Sequence, residues 1–427
     1  MTQSRLHAHG LYRGKGTRFL LYPQSPVLES IHGPETVWVA HAPGLIGPGP
    51  SDSRMYVVDA IGKNEHYEYP FLPPWRGASN PPVRPGPDGH FDHLQADTRE
   101  FMAAHMYGTL RFTLDVWEKY FGAVIPWHFA DEYPRLELVP LIQWNNAHSG
   151  FGFIETGFWR PEEPDPKPFC LNFDVLAHEL GHGFMYSLLG VPPADRVNAE
   201  YIAFHESASD CVAMIAAMHF DSVVDRLLLR THGNIYLANE LNRIGELSET
   251  EQIRLASQSL TLADVPDLRT PLDQLSQPQR HAMGQPLTGA VFDILVEVFQ
   301  EILVREGLIS RELDDLSRQD ESEPDEEIVQ AEFDRAYAGR GVQFKRALLD
   351  ARDYMGNCLA AAWRMLSWDL SYGDMAVALL TADRQLYGGA GREIIIESLV
   401  WRDIEIPFRS GRQTYRERVA RARAGRW

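Results

Sequence analysis

The segment Asp174-Val-Leu-Ala-His178-Glu179-Leu-Gly-His182 contains the spacing H-E-x-x-H. In a helix, residues four apart lie one turn apart on one face, so the imidazoles of His178 and His182 can reach a single Zn²⁺. Glu179 then lies beside the metal's open position, where a general base for a metal-activated water is needed. A hydrolytic zinc also requires a third protein ligand and an open fourth position. The extended pattern H-E-x-x-H-x-x-G-x-x-H would supply that ligand, but Met185 and Leu188 stand where its glycine and last histidine belong. That class is excluded, and the third ligand has to come from elsewhere.

A second segment supplies it: Phe204-His-Glu206-Ser-Ala-Ser-Asp210 runs directly into the apolar stretch Cys211 to Met218. A helix apolar all round is a buried helix, and two carboxylates one turn apart on it need cationic or hydrogen-bonding partners. Zinc meets that need for Glu206. The N–H of a zinc-ligating imidazole meets it for Asp210, in the usual carboxylate–histidine–zinc relay. His205 and Glu200 are rival third ligands, and neither is followed by an acid four residues on.

These motifs need elements to hold them. Helical periodicity predicts helices over Phe173–Leu189 and Ala199–Phe220, and Pro286 is placed to open another with Leu287, Val291, Ile294, Val298 and Ile302 on one face. Further helices follow from Gln343 into the 390s, while the acidic stretch from Asp314 to Glu327 reads as exposed. Upstream, Phe19 to Tyr22, Val37 to Ala40, Met55 to Val58 and Leu136 to Trp144 read as strands. From Asp97 the spacing of Phe101, Ala104, Gly108, Phe112 and Val116 predicts an amphipathic helix. Between Pro70 and His90 proline and glycine are too dense for a helix or central strand. The layout is therefore α+β, β-rich first and α-rich second. The expected divisions are residues 1–90, an N-terminal extension with a Pro/Gly-rich linker; 91–185, ending in the H-E-x-x-H helix; and 186–427.

The chain has 427 residues, 44% of them hydrophobic, and a net charge of −19, which belongs to a globular protein and disfavours nucleic acid and anionic membranes as partners. The arginine-rich tail from Arg409 fits a solvated helical end. Cys170, Cys211 and Cys358 are odd in number and lack C-x-x-C spacing, so they read as reduced thiols. With no signal-type apolar region and no transmembrane run, the default expectation is a cytoplasmic protein.

On these residues the chain resembles the thermolysin-like zinc metallopeptidases, a gluzincin family. His178, Glu179 and His182 match the family's H-E-x-x-H, and Glu206-Ser-Ala-Ser-Asp210 resembles its N-E-x-x-S-D helix with His205 in place of the asparagine. The resemblance implies a two-part fold with the zinc helix at the floor of the cleft between the parts. It also implies further roles. Asn146 and Ala147, in Trp144-Asn-Asn-Ala147, would bind substrate backbone as an added strand. His281, in His281-Ala-Met-Gly, would stabilise the oxyanion of the tetrahedral intermediate, and Arg269 would hold a substrate carbonyl. Val175 becomes a wall of the pocket for a hydrophobic side chain just after the scissile bond. Tyr186 and Tyr201 lie where a catalytic tyrosine is sought, and neither aligns with it. Asp174 stands at a calcium-ligand position, but Ala217 replaces the partner acid, so the implied cofactor is one Zn²⁺ with calcium doubtful.

The expectation is thus a zinc endopeptidase acting on a peptide or protein substrate, with Glu179 as the base, no nucleic-acid or membrane partner, and an oligomeric state that the sequence leaves open. The alternatives are a restricted aminopeptidase, for which no G-x-M-x-N anchor is found, and a non-proteolytic zinc scaffold, which would have no use for a base. A family usually exported with a long prosegment contrasts with only 177 residues before His178. That contrast suggests an intracellular enzyme restrained by a narrow cleft, or unconventional export.

Overall fold

The computed structural model describes residues 12–28, 33–96, 98–160, 162, 166–236, 243–246, 252–256, 258–317 and 326–407. The arginine-rich tail lies outside them. Strands β1 (Thr17–Leu21) and β2 (Glu35–Val39) pair antiparallel, and β-strand alternation puts Phe19, Leu21, Val37 and Val39 on the buried side. After β3 (Met55–Val57) comes helix α1 (Arg99–Phe121), started by Thr98, whose hydroxyl accepts from the Phe101 N–H, and stopped by Gly122 at φ 63°.

Strands β4 (Leu136–Val139), β5 (Ala147–Gly150) and β6 (Phe153–Thr156) join β3 in one sheet of order β3-β4-β6-β5. The first three run parallel, and β5 closes the edge antiparallel to β6. The strand expected over Leu136 to Trp144 ends at Val139, because Pro140 has no N–H to give to a ladder. Instead the Pro140 carbonyl accepts the Thr156 hydroxyl at 2.5 Å. A short pair, β7 (Phe158–Trp159) and β8 (Lys167–Pro168), leads into the helices.

Helices α2 (Phe173–Leu189) and α3 (Ala199–Ala217) are each capped by an asparagine: Asn172 accepts from the Val175 N–H at 3.2 Å and Asn198 from the Tyr201 N–H at 2.8 Å. Then follow α4 (Asp221–Thr231), the antiparallel pair β9 (Arg243–Glu246) and β10 (Gln252–Leu255), α5 (Gln277–Ala282) and α6 (Gln285–Arg305). The chain continues through α7 (Arg311–Ser317), α8 (Glu326–Tyr337), α9 (Gly341–Trp363), α10 (Tyr372–Tyr387) and α11 (Arg392–Trp401). The β-rich part therefore precedes the helical part, as expected, and α2 and α3 lie where the two meet.

Two further expectations change. Helix α1 is not amphipathic: nearly all of it from Phe101 to Trp117 is buried, because β1 and β2 cover one side while α2, α3 and α9 pack on others. Asp314 is not exposed either. It is fully buried and paired with Arg311 at 2.7 Å, which resolves the cost of burying its charge. One hydrophobic cluster runs from Phe19 to Ile406 through both parts. Trp117 of α1 stacks on Trp363 of α9 at 4.9 Å, and the Tyr120 hydroxyl donates to Asp353 at 2.9 Å. All three cysteines are free and buried. Among the described residues no helix is long and apolar enough to cross a membrane.

Candidate metal centre

Helices α2 and α3 form the most extensive helix pair among the described residues. Their backbones meet at Gly181, inside H-E-x-x-H: a Cβ there would lie 2.7 Å from the Ser209 Cα. This close approach lets His178 and His182 face Glu206 across the helix pair. His178 Nε2 lies 3.6 Å from Glu206 Oε2, and His182 Nε2 lies 3.7 Å from Glu206 Oε1. Both separations are too long for hydrogen bonds. Ligands bound tetrahedrally at zinc distances sit about 3.4 Å apart, so these spacings leave room for an ion among the three atoms.

One ligand atom from each of His178, His182 and Glu206 lies within 4.8 Å of the others, and this cluster can hold a metal ion. It is the one such group of three or more among the described residues, and Asp174 is not part of it. Asp174 instead lines the cavity beside the cluster. His178 Nδ1 donates to Asp210 Oδ1 at 2.9 Å, and this tautomer turns the Nε2 lone pair toward Glu206. Asp210 also receives the Thr288 hydroxyl of α6 at 3.4 Å. Asp210 thus lies against the His178 imidazole while Glu206 stands in the ligand cluster, and Thr288 is a further partner of Asp210 that the sequence did not foretell.

The centre opens into a cavity of about 260 Å³. Glu179 is buried in its lining next to the metal cluster, and Asn146 and Ala147 form one wall on the free edge of β5. Ala147 packs with Phe169 and Val175 in a small apolar cluster that faces the same space. Opposite stand His281 and Gln277, one turn apart on α5. His281 is on a short helix rather than in a loop, because Ser276 and Gln279 form a capping box that starts a turn there. Its Nε2 lies 3.7 Å from Glu206 Oε1 and its side chain is 40% exposed. The α5–α6 junction is pressed onto α3: a Cβ on Gly284 would meet the Ala203 carbonyl at 2.7 Å, and the Tyr372 hydroxyl donates to the Met283 carbonyl at 3.0 Å.

The structure does not bring Arg269 to this cavity. It is 89% exposed and paired with Asp267 at 2.6 Å, two residues away. The rival ligands separate as well. Glu200 accepts from the Tyr372 N–H at 2.7 Å and caps α10, away from the centre. The ring of His205 lies parallel to that of His182 at 5.9 Å and stays outside the ligand cluster. Of the two tyrosines, Tyr201 spends its hydroxyl on the Gly190 carbonyl at 3.0 Å, whereas Tyr186 lines the cavity. Tyr186 follows His178 and His182 at the same four-residue step, a signal in the sequence that points to it. Gln277, Ile202 and His148 also line the cavity, and no motif marks them.

Electrostatics follow burial. Desolvation raises the Tyr186 pKa, and the nearby Glu206 and Glu179 carboxylates raise it further. Burial, and next His182, hold His205 well below its ordinary value, and burial pushes His128 down to about 4. Within the sheet, burial would raise the Glu155 pKa. Hydrogen bonds from His148, Lys63 and the Tyr67 N–H outweigh that and lower it. This network ties β5 to β6, with His148 Nε2 at 2.6 Å and Lys63 Nζ at 2.5 Å from Glu155.

No family model matches the chain, and no curated protein matches it. Among solved structures it is similar to the precursor of Protealysin, a metalloproteinase from Serratia proteamaculans, with a TM-score of 0.40 and 12% sequence identity over 84% of this chain and 88% of that chain.

Proposed function

We propose that the chain is a thermolysin-like zinc endopeptidase. The observation that carries this reading is the convergence of His178, His182 and Glu206 on one point, with Asp210 fixing the His178 tautomer and Glu179 in the same cavity. Two imidazoles and one carboxylate are a donor set that zinc accepts in hydrolases, and the cluster leaves a fourth position open. When bound there, zinc would supply a Lewis acid for the scissile carbonyl and lower the pKa of water toward about 7.

The remaining steps belong to the chain. A peptide lies extended along the edge of β5, where Asn146 and Ala147 offer backbone hydrogen bonds. The Glu179 carboxylate takes the proton from the attacking water and passes it to the leaving amine. His281 faces the developing charge on the carbonyl oxygen and donates through Nε2. Val175, with Ala147 and Phe169, makes an apolar wall for the side chain that follows the scissile bond. In this division of labour residues 91–185 bring the base and two ligands, and residues 186–427 bring the third.

Glu179→Gln is the test, with bound metal measured alongside cleavage of a quenched peptide library. Both proteins are expected to carry about one zinc per chain, and the variant is expected to lose about 10²–10⁴-fold in kcat. A zinc-loaded wild type that cleaves nothing the variant spares sinks the proposal.

A further inference from the structure

The apolar wall of the metal cavity continues past Phe169. This residue lines that cavity and also a second hollow of about 40 Å³, whose other apolar residues are Pro26, Val27, Trp159 and Pro168. Trp159 packs against the cluster of Ala147, Phe169 and Val175, so one apolar stripe joins the two spaces. The four outer residues are only half-buried, which leaves the second hollow accessible. Its position follows α2. His178 belongs to the metal cluster, Val175 to the wall beside it, and Asn172, the cap of α2, to the second hollow. Pro26 and Val27 come from the N-terminal extension, whereas no described residue before Asn146 lines the metal cavity.

We propose that this hollow is a second apolar subsite, taking an aliphatic side chain at the third residue after the scissile bond; the proposal rests on the peptidase reading above. Asn172 precedes His178 by six residues, about 9 Å along a helix axis. An extended peptide covers that distance in about three residues. Its side chains alternate between faces, so the first and third after the scissile bond point the same way, about 6.8 Å apart. That repeat is close to the span needed to straddle one aromatic ring, with van der Waals contacts of about 3.5–4.0 Å on each side. Phe169 is the ring shared by the two spaces: the first side chain lies against Val175, and the third against Val27 and Trp159. Size selects the occupant. A water needs roughly 10–15 Å³ of such space, so about 40 Å³ admits three or four groups of that size, the side chain of valine or leucine. The polar lining is limited to Ser25, Lys167 and Asn172, and Asn172 already spends its side-chain oxygen on the Val175 N–H.

The experiment measures cleavage and binding separately. Peptides with one defined scissile bond carry Gly, Val, Leu, Trp, Asp or Lys at the third residue after it, and a shortened peptide ends at the second. Wild type is assayed for cleavage of this set, and zinc-loaded Glu179→Gln protein is titrated with it calorimetrically. Val or Leu is expected to raise kcat/KM about tenfold over Gly, through KM, and the shortened peptide is expected to behave like Gly. Val27→Phe fills the hollow and is expected to bring Leu down to the level of Gly, with zinc content retained. Trp159→Ala widens it and is expected to shift the preference from Leu to Trp; it decides the matter where the Val27 variant fails to fold. A flat response at the third residue, a Leu preference that survives both variants, or a preference for Asp, which would assign the effect to Lys167, overturns the subsite. Wild type that cleaves with a flat response removes the subsite and leaves the peptidase. Binding that favours Leu and is lost in Val27→Phe, without any cleavage, does the reverse, and the absence of both binding and cleavage overturns both.

Discussion

The floor and the rim of the cavity are built on different terms. The floor is the α2–α3 pair, where His178, Glu179, Glu206 and Asp210 are all buried and a glycine contact sets the helix separation. The rim opposite β5 is the two-turn α5, where His281 is 40% exposed and Gln277 stands at the surface. Groups on the floor are held by packing and by a chain of hydrogen bonds before any substrate arrives, which is what the proposed metal site requires. Groups on the rim are held by a capping box, a tyrosine and the contact of the Gly284 backbone with α3. Floor substitutions should therefore read out in metal affinity, and rim substitutions in turnover alone.

His281→Ala is expected to produce the largest effect of those that separate the two regions. Removing one donor aimed at a developing oxyanion costs about 10²–10³-fold in kcat. KM and zinc content should hardly change, since His281 stands outside the ligand cluster. Loss of zinc in this variant would break the contrast, because it would make the histidine, 3.7 Å from Glu206, a part of the floor.

The same contrast explains what was legible in the sequence. Helical spacing converts directly into geometry, so H-E-x-x-H and the Glu206–Asp210 step mark five residues of the floor from the sequence alone. Tyr186 lay on that same face and was within reach of the same rule. Gly181 was not, because a glycine in a helix is ambiguous until its neighbour is known, here the Ser209 backbone. Thr288 and Gln277 come from elements whose docking depends on long-range packing. For α1 the periodicity marked one face of a helix that other elements went on to bury on every side. On the rim, local pairing decided: Asp267 claims Arg269 within the same turn, and nothing in residue types foretold that.

Asp210→Ala tests the floor more gently than loss of a ligand. The His178 ring loses the acceptor that fixes its tautomer, and Thr288 is left with the Gly284 carbonyl as its acceptor. Zinc affinity should fall about 10–100-fold, as for other carboxylates that orient a ligating imidazole. Competition with a chromophoric chelator measures it. At saturating zinc, kcat should recover most of its value; a kcat that stays low with the metal bound would show that Asp210 acts on the chemistry and not only on the ligand.

The smallest effect is expected from Arg269→Ala. The guanidinium is 89% exposed, its Nη2 lies 2.6 Å from Asp267, and it does not line the cavity. An exposed ion pair between neighbours two residues apart contributes little to stability or to a distant site. We expect kcat/KM within about twofold of wild type on every peptide. A fall of about tenfold or more would mean that the segment carrying Arg269 folds onto bound substrate. The rim would then be completed only in the complex, and the division between a preformed floor and a fixed, sparse rim would have to be redrawn.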